Sequence, residues 1–343
     1  MKHRDSARRR AFLKEAVLAA GATLWAGTFF QRFAKAGDEQ TPTDPAPIGR
    51  RELILGLDGM SRVVEPGQNP FVGGHTAAAV MSSAFFCREQ DIDADTQTEI
   101  LSLAEARLLK SPIYAPRPEE KADPELVDEL LKDLDAGIDV LRRSGHNIIF
   151  ANISLKTLRE VPEAATPERM AGLRKMVQSF GSGNGGAFRP QNRNTFVDLN
   201  DETKFVHFVF EEYLKALDLY LHGKGHHGFA GHLLTVGHAL LELKRMGYGK
   251  VAHKGIEAYW HFVQQARDGA DLGGQNVKDA PPKPPTPLAR EYWVGQSQRE
   301  AGLIVSSHLI KYPYSYFALA KELRDDELKQ RLLDKIYHLT PVS

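Results

Sequence analysis

The chain has 343 residues, 42% hydrophobic and 26% charged, with 44 basic and 44 acidic side chains. That is enough apolar material for a sizeable core, and a net charge of zero leaves no nucleic-acid footprint. A lone cysteine, Cys87, excludes an intrachain disulfide and any zinc or iron–sulfur site built on several thiolates.

The first 36 residues differ from the rest. They hold eight Lys/Arg against two Asp/Glu, which leaves 36 basic and 42 acidic residues beyond them, a net charge of −6. A basic start precedes an uncharged run over 16–30, and Ala34-Lys35-Ala36 then forms an A-x-A cleavage pattern. The run is 15 residues long, short of the roughly 20 that a membrane span needs. The stretch RRAFLK, residues 9–14, resembles the bacterial twin-arginine export signal. That resemblance implies the twin-arginine machinery as a partner, cleavage after Ala36 and a periplasmic or secreted product that is not an integral membrane protein. It also implies folding, with any cofactor inserted, before export.

Residues 37–50, GDEQTPTDPAPIGR, read as a disordered leader, and residues 51–343 as a single all-α domain. ELILGLDGM reads as a short helix or an extended entry segment. Helical patterns follow over HTAAAVMSSAFFCRE, TQTEILSLAEARLLK, DPELVDELLKDLDAGIDVLRRS, NIIFANISLKTLREV and TPERMAGLRKMVQSF. Two loops interrupt the series. One is Gly/Asn-rich, GSGNGGAFRPQNRNTF at 181–196; the other is Pro-rich, DLGGQNVKDAPPKPPTP at 271–287. Between and after them, helices are expected over DETKFVHFVFEEYLKALDLYLHG, GHHGFAGHLLTVGHALLEL, KGIEAYWHFVQQAR, residues 288–301, IKYPYSYFALAKEL and DDELKQRLLDKIYHL.

An internal repeat organises these helices. Four segments align without gaps on His75, His146, His232 and His308, each histidine preceded by two small residues. Thirteen positions later stands Arg88, Arg159, Arg245 or Lys321, and next to it Glu89, Glu160, Met246 or Glu322. The expected fold is therefore all-α: stacked helical repeats forming an α/α superhelix or toroid. Equivalent positions then recur on one wall, so the four histidines are expected to line a cavity as catalytic groups. The small residues before them serve as helix caps or close-packing points, and a histidine at a helix start is held neutral by the dipole.

Other constellations add to the candidate site. His238 and Glu242, four apart on one helix face, form a candidate metal pair, and His207 and Glu211 repeat the spacing. Tyr312 and Tyr314, beside Pro313, offer phenols to a substrate; Arg189, Asn192 and Arg193 in the Gly-rich loop suit an anion or sugar. Histidine-rich chemistry without thiolates suits iron, copper or zinc. No nucleotide fingerprint is present. Cys87, in an apolar run, is expected to be a buried inert thiol.

At GHLLTVGHALLEL and SSHLIKYPYSYFALAKEL the chain resembles the questin oxidase-like family, over roughly residues 70–340. The resemblance implies an all-helical oxygenase acting on an aromatic or polycyclic ketone, and assigns no role to any one residue. Two other readings of the same residues are an α/α-toroid polysaccharide lyase or hydrolase and a non-enzymatic metal- or ligand-binding repeat protein.

Overall fold

The computed structural model describes residues 48–140, 142–180, 197–222, 227–268, 286–299, 301–333 and 335–336. They belong to one compact unit, Ile48–Ser343. The expected signal, most of the leader, and the Gly-rich loop with Arg189, Asn192 and Arg193 lie outside the described residues.

Among the described residues the chain is helical, with short 3-10 turns and no strand. The helices are α1 (Arg50–Arg62), α2 (Pro70–Glu89), α3 (Ala94–Arg107), α4 (Leu126–Asp135), α5 (His146–Glu160) and α6 (Pro167–Ser179). After them come α7 (Glu202–Leu221), α8 (His227–Arg245), α9 (Gly249–Asp268), α10 (Arg290–Trp293), α11 (Leu303–Ala320) and α12 (Asp326–Leu333).

Four of these form the centre. The sequences of α2, α5, α8 and α11 are apolar or small on every side, which marks helices enclosed all round. Each is buried without interruption over most of its length: 74–87, 146–155, 230–241 and 306–317. They pack in a cycle, α2 on α5, α5 on α8, α8 on α11, and α11 back on α2. The amphipathic helices cover this core. Helix α1 lies on α2 and α6, α7 and α9 on α8, α4 on α5 and α6, and α3 on α2.

Local signals fix several helix starts. Asn69 caps α2, its side chain accepting from the amides of Phe71 and Val72, with Pro70 in the first turn. Asp93 and Asp201 cap α3 and α7 in the same way. Close approach sets the inner packing: a Cβ on Gly74 would run into the Phe150 ring, and one on Gly231 into the Tyr312 ring.

The structure corrects some expectations. The leader ends sooner than residue 50, because Arg50 already opens α1 behind Gly49. The helix expected over 123–144 stops at Asp135, where Ile138 leaves the helical path to bury itself beside Gly255. The helix expected over 288–301 is a single turn, α10, broken at Gly295, which adopts a left-handed φ of 81°. The ELILGLDGM segment is helical, within α1. Helix α11 runs through Pro313.

The repeat takes physical form in a set of links between successive copies. The Arg88 guanidinium pairs with Glu160 at 2.8 Å. Arg159 donates to the carbonyl of Met246 at 3.2 Å. Arg245 pairs with Glu322 at 2.9 Å. Lys321 donates to the carbonyl of Glu89. Each cation thirteen positions beyond a histidine thus grips the next residue type of the following copy, and the fourth returns to the first.

Candidate metal centre

The four aligned histidines meet. His75 and His146 ring centroids are 4.3 Å apart, His146 and His232 4.6 Å, His232 and His308 5.6 Å, and His308 and His75 5.2 Å. All four are buried. Their order around this ring of imidazoles is the order of the four inner helices.

Only His146 stands at a helix start. His75, His232 and His308 are each the sixth residue of their helix. The preceding small residues accordingly divide between two roles. Gly145 caps α5 at a φ of 85°, whereas Gly74 and Gly231 let a neighbouring ring approach. Helix position therefore does not explain why His75 and His308 are neutral. Burial does: it pushes His75 down to about 2, with the nearby Lys311 charge adding to the effect. Burial likewise holds His146 and His308 well below the usual imidazole range, reinforced for His146 by its histidine neighbours and for His308 by Lys311.

The hydrogen bonds fix which nitrogens are bare. His75 Nδ1 lies 2.7 Å from the Phe71 carbonyl and His232 Nδ1 2.6 Å from the Gly228 carbonyl; His146 Nδ1 meets the Arg143 carbonyl. A carbonyl only accepts, so each Nδ1 carries the hydrogen and each Nε2 offers a lone pair. Yet the Nε2 atoms face one another, 2.9 Å from His75 to His146 and 3.1 Å from His146 to His232. Three acceptors converging without a proton repel one another. A cation between them removes the conflict, and the backbone-anchored Nδ1–H is the usual companion of a metal-ligating imidazole. One ring nitrogen from each of the three histidines lies within 4.8 Å of the other two. Metal–nitrogen bonds of about 2.0–2.1 Å at tetrahedral angles put ligand nitrogens roughly 3.3 Å apart, so small ring movements suffice.

Comparison with protein-family models, curated proteins and solved structures finds no match. The chemistry of this chain rests on its own geometry.

Around the three histidines the walls are mainly aromatic. His308 stacks on Tyr312 at 4.3 Å and 14°. The Tyr312 hydroxyl lies 3.4 Å from His232 Nδ1. Phe71 and Phe150 contact both His75 and His146 edge-on. Burial raises the Tyr312 phenol above its ordinary range, which keeps its hydroxyl protonated. Lys311, three residues after His308, was not among the expected site residues. It is buried, its ammonium 5.8 Å from the Phe150 ring, and burial pulls it down to about 7. A lysine inside an otherwise apolar inner helix was the available signal.

Tyr314, His238 and Glu242 form a different group, six to ten positions further along the inner helices. Among the described residues they are not in the metal-type cluster, which comprises His75, His146 and His232. His238 Nε2 is 3.9 Å from Glu242 Oε1, but Glu242 Oε2 binds Lys156 Nζ at 2.5 Å. Lys156 also meets Glu89 at 2.7 Å and the Tyr314 hydroxyl at 2.9 Å. Burial works against the Lys156 charge, but Tyr314, Glu242 and Glu89 together hold its ammonium above the ordinary lysine range. The pair expected to hold a metal is thus an ion network closed by a lysine from α5, and Tyr314 belongs to it rather than to the histidines. His207 turns to Asp325 at 3.4 Å, not to Glu211. Cys87 is buried, its thiol pushed up to about 12 by burial and then by Glu52, consistent with an inert role. No described helix is long and apolar enough to cross a membrane.

Proposed function

We propose that His75, His146 and His232 hold one redox-active metal ion, iron or copper, with His308 beside it, and that the protein is an oxidoreductase using dioxygen on an organic substrate. The observation that carries this reading is the convergence of three buried Nε2 lone pairs whose Nδ1–H groups are all anchored to backbone carbonyls. An all-imidazole set suits iron, copper or zinc. When bound, the metal would supply dioxygen activation. The chain's own residues would hold it, keep it out of water and surround it with aromatic walls. Those walls of Phe71, Phe150 and Tyr312 suit an apolar, aromatic substrate better than a polysaccharide. Support for folding and loading before export comes from the RRAFLK segment, and the expected location is the periplasm or the medium.

Metal analysis of purified full-length protein tests the proposal. About one iron or copper per chain is expected, lost in His146→Ala, together with oxygen uptake in the presence of aromatic ketones or phenols. Stoichiometric zinc without oxygen uptake would overturn the redox assignment. A protein that takes up none of the three metals would overturn the metal centre itself.

A further inference from the structure

Two lysines lie within the inner helices, and their surroundings are opposite. Lys156 meets two carboxylates, Glu89 and Glu242, and the Tyr314 hydroxyl. Lys311 is buried, and among the described residues no hydrogen bond or ion pair reaches its ammonium. Burial alone acts on it, with no carboxylate to offset the lost hydration. A cation buried without a partner is strongly unfavourable, so the chain alone leaves this one incomplete.

The ammonium belongs to the histidine centre. Lys311 stands three residues after His308, on the same helix face. Its charge bears on His75, His146 and His308. It lies 5.8 Å from the Phe150 ring, which itself contacts His75 and His146 at 5.7 and 5.0 Å. Three positions beyond the histidines the four copies carry Ala78, Ile149, Thr235 and Lys311, so no copy supplies an acid at that level. No carboxylate acts on His75, and the metal-type cluster holds imidazoles alone. A metal cation on neutral imidazoles beside an ammonium therefore lacks a counter-charge from the protein. The centre is also not sealed on every side. His75, Ala78 and His146 are 0, 1 and 1% exposed, whereas Ile149, His232, His308 and Lys311 keep 7, 6, 8 and 3%.

We infer that the centre binds an organic carboxylate held by the Lys311 ammonium, and that the substrate of the proposed oxidation is accordingly an acid. One negative charge matches one ammonium, and the two oxygens of a carboxylate can serve two cations at once. The inference rests on the reading of the histidines as a metal centre only in calling the carboxylate a substrate; its binding needs Lys311 alone.

Ligand-observed NMR titration of metal-free full-length protein with acetate, with acetamide as its neutral isostere, and with chloride tests it. Acetate should bind saturably and at least tenfold more tightly than either. Lys311→Met, which keeps the side-chain length and removes the charge, should weaken acetate at least tenfold. Because it also removes an unpaired buried cation, this variant should fold. Acetate should raise the urea midpoint of the wild type and leave that of Lys311→Met unchanged. Absence of saturable acetate binding, acetamide or chloride binding as tightly as acetate, or undiminished acetate binding by Lys311→Met would each overturn the inference. Metal content is read separately, on wild type and Lys311→Met after loading, and both should take up the same amount. Acetate binding by metal-free wild type thus stands or falls apart from the metal content that tests the proposed function.

Discussion

At the scale of residues, the buried histidines set the protein's response to acid. In an unfolded chain an imidazole titrates near 6.5. In the native protein burial holds His75 near 2 and His238 near 4, and keeps His146 and His308 well below the ordinary value. Below pH 6.5 the unfolded state therefore binds protons that the native state refuses, so stability falls as pH falls. Each such histidine contributes about 1.4 kcal/mol per pH unit across its window. For metal-free protein we expect the urea midpoint to drop steeply between pH 6.5 and 5, before most carboxylates titrate. A midpoint that stays flat over that interval would show that the imidazoles are already charged or exposed in the native state. The four histidines were legible in the sequence because they occupy one register of a repeat. Lys311 was marked only by its place in an otherwise apolar helix, and Lys156 by nothing local: the carboxylates and phenol that meet Lys156 come from α2, α8 and α11. His238 and Glu242 illustrate the same limit. Their spacing on one helix face was read correctly, but the partner that decides their role is distant in sequence.

At the scale of elements, the inner helices depend on two glycines. Adding a methyl at Gly231 or Gly74 forces it into the ring of Tyr312 or Phe150, each of which touches the histidine centre. Overpacking of this kind costs about 1–3 kcal/mol, more than the gain of up to about 1 kcal/mol that alanine brings to a helix interior. Gly231→Ala and Gly74→Ala should therefore lower the melting temperature and the metal occupancy together, whereas Gly302→Ala, whose added Cβ meets open space, should change neither. Differential scanning calorimetry with metal analysis checks this, and a neutral Gly231→Ala would refute the close-packing account. Helix type and number were largely readable from apolar periodicity. The ends of α4 and α10 were not, because a buried Ile138 and a left-handed Gly295 ended helices that propensity alone would have extended.

At the scale of the whole molecule, the links between copies make the repeat testable. Arg88 and Glu160 are partly exposed, so a double-mutant cycle on them should give a coupling of less than about 1 kcal/mol. Reversing both charges, Arg88→Glu with Glu160→Arg, should recover most of the stability lost in either single reversal, as measured by chemical denaturation; no recovery would mean the pair is incidental. That the copies would line one wall was readable from their common register. That the fourth copy would return to the first was not, since a linear sequence carries no sign of which ends meet.

That return has a consequence in time. The link from Lys321 to Glu89 joins residues 232 apart in the chain, and His308 must reach His75 before the ring of imidazoles exists. Contacts of such separation form late and slowly. A partly synthesised chain would carry three of the histidines with no fourth helix to close over them. The choice of metal then belongs to the compartment in which the finished chain folds, and to whichever ion is abundant there. Under the proposed metal centre and export route that compartment is the cytoplasm, and the protein would carry its metal outward as a decision already made.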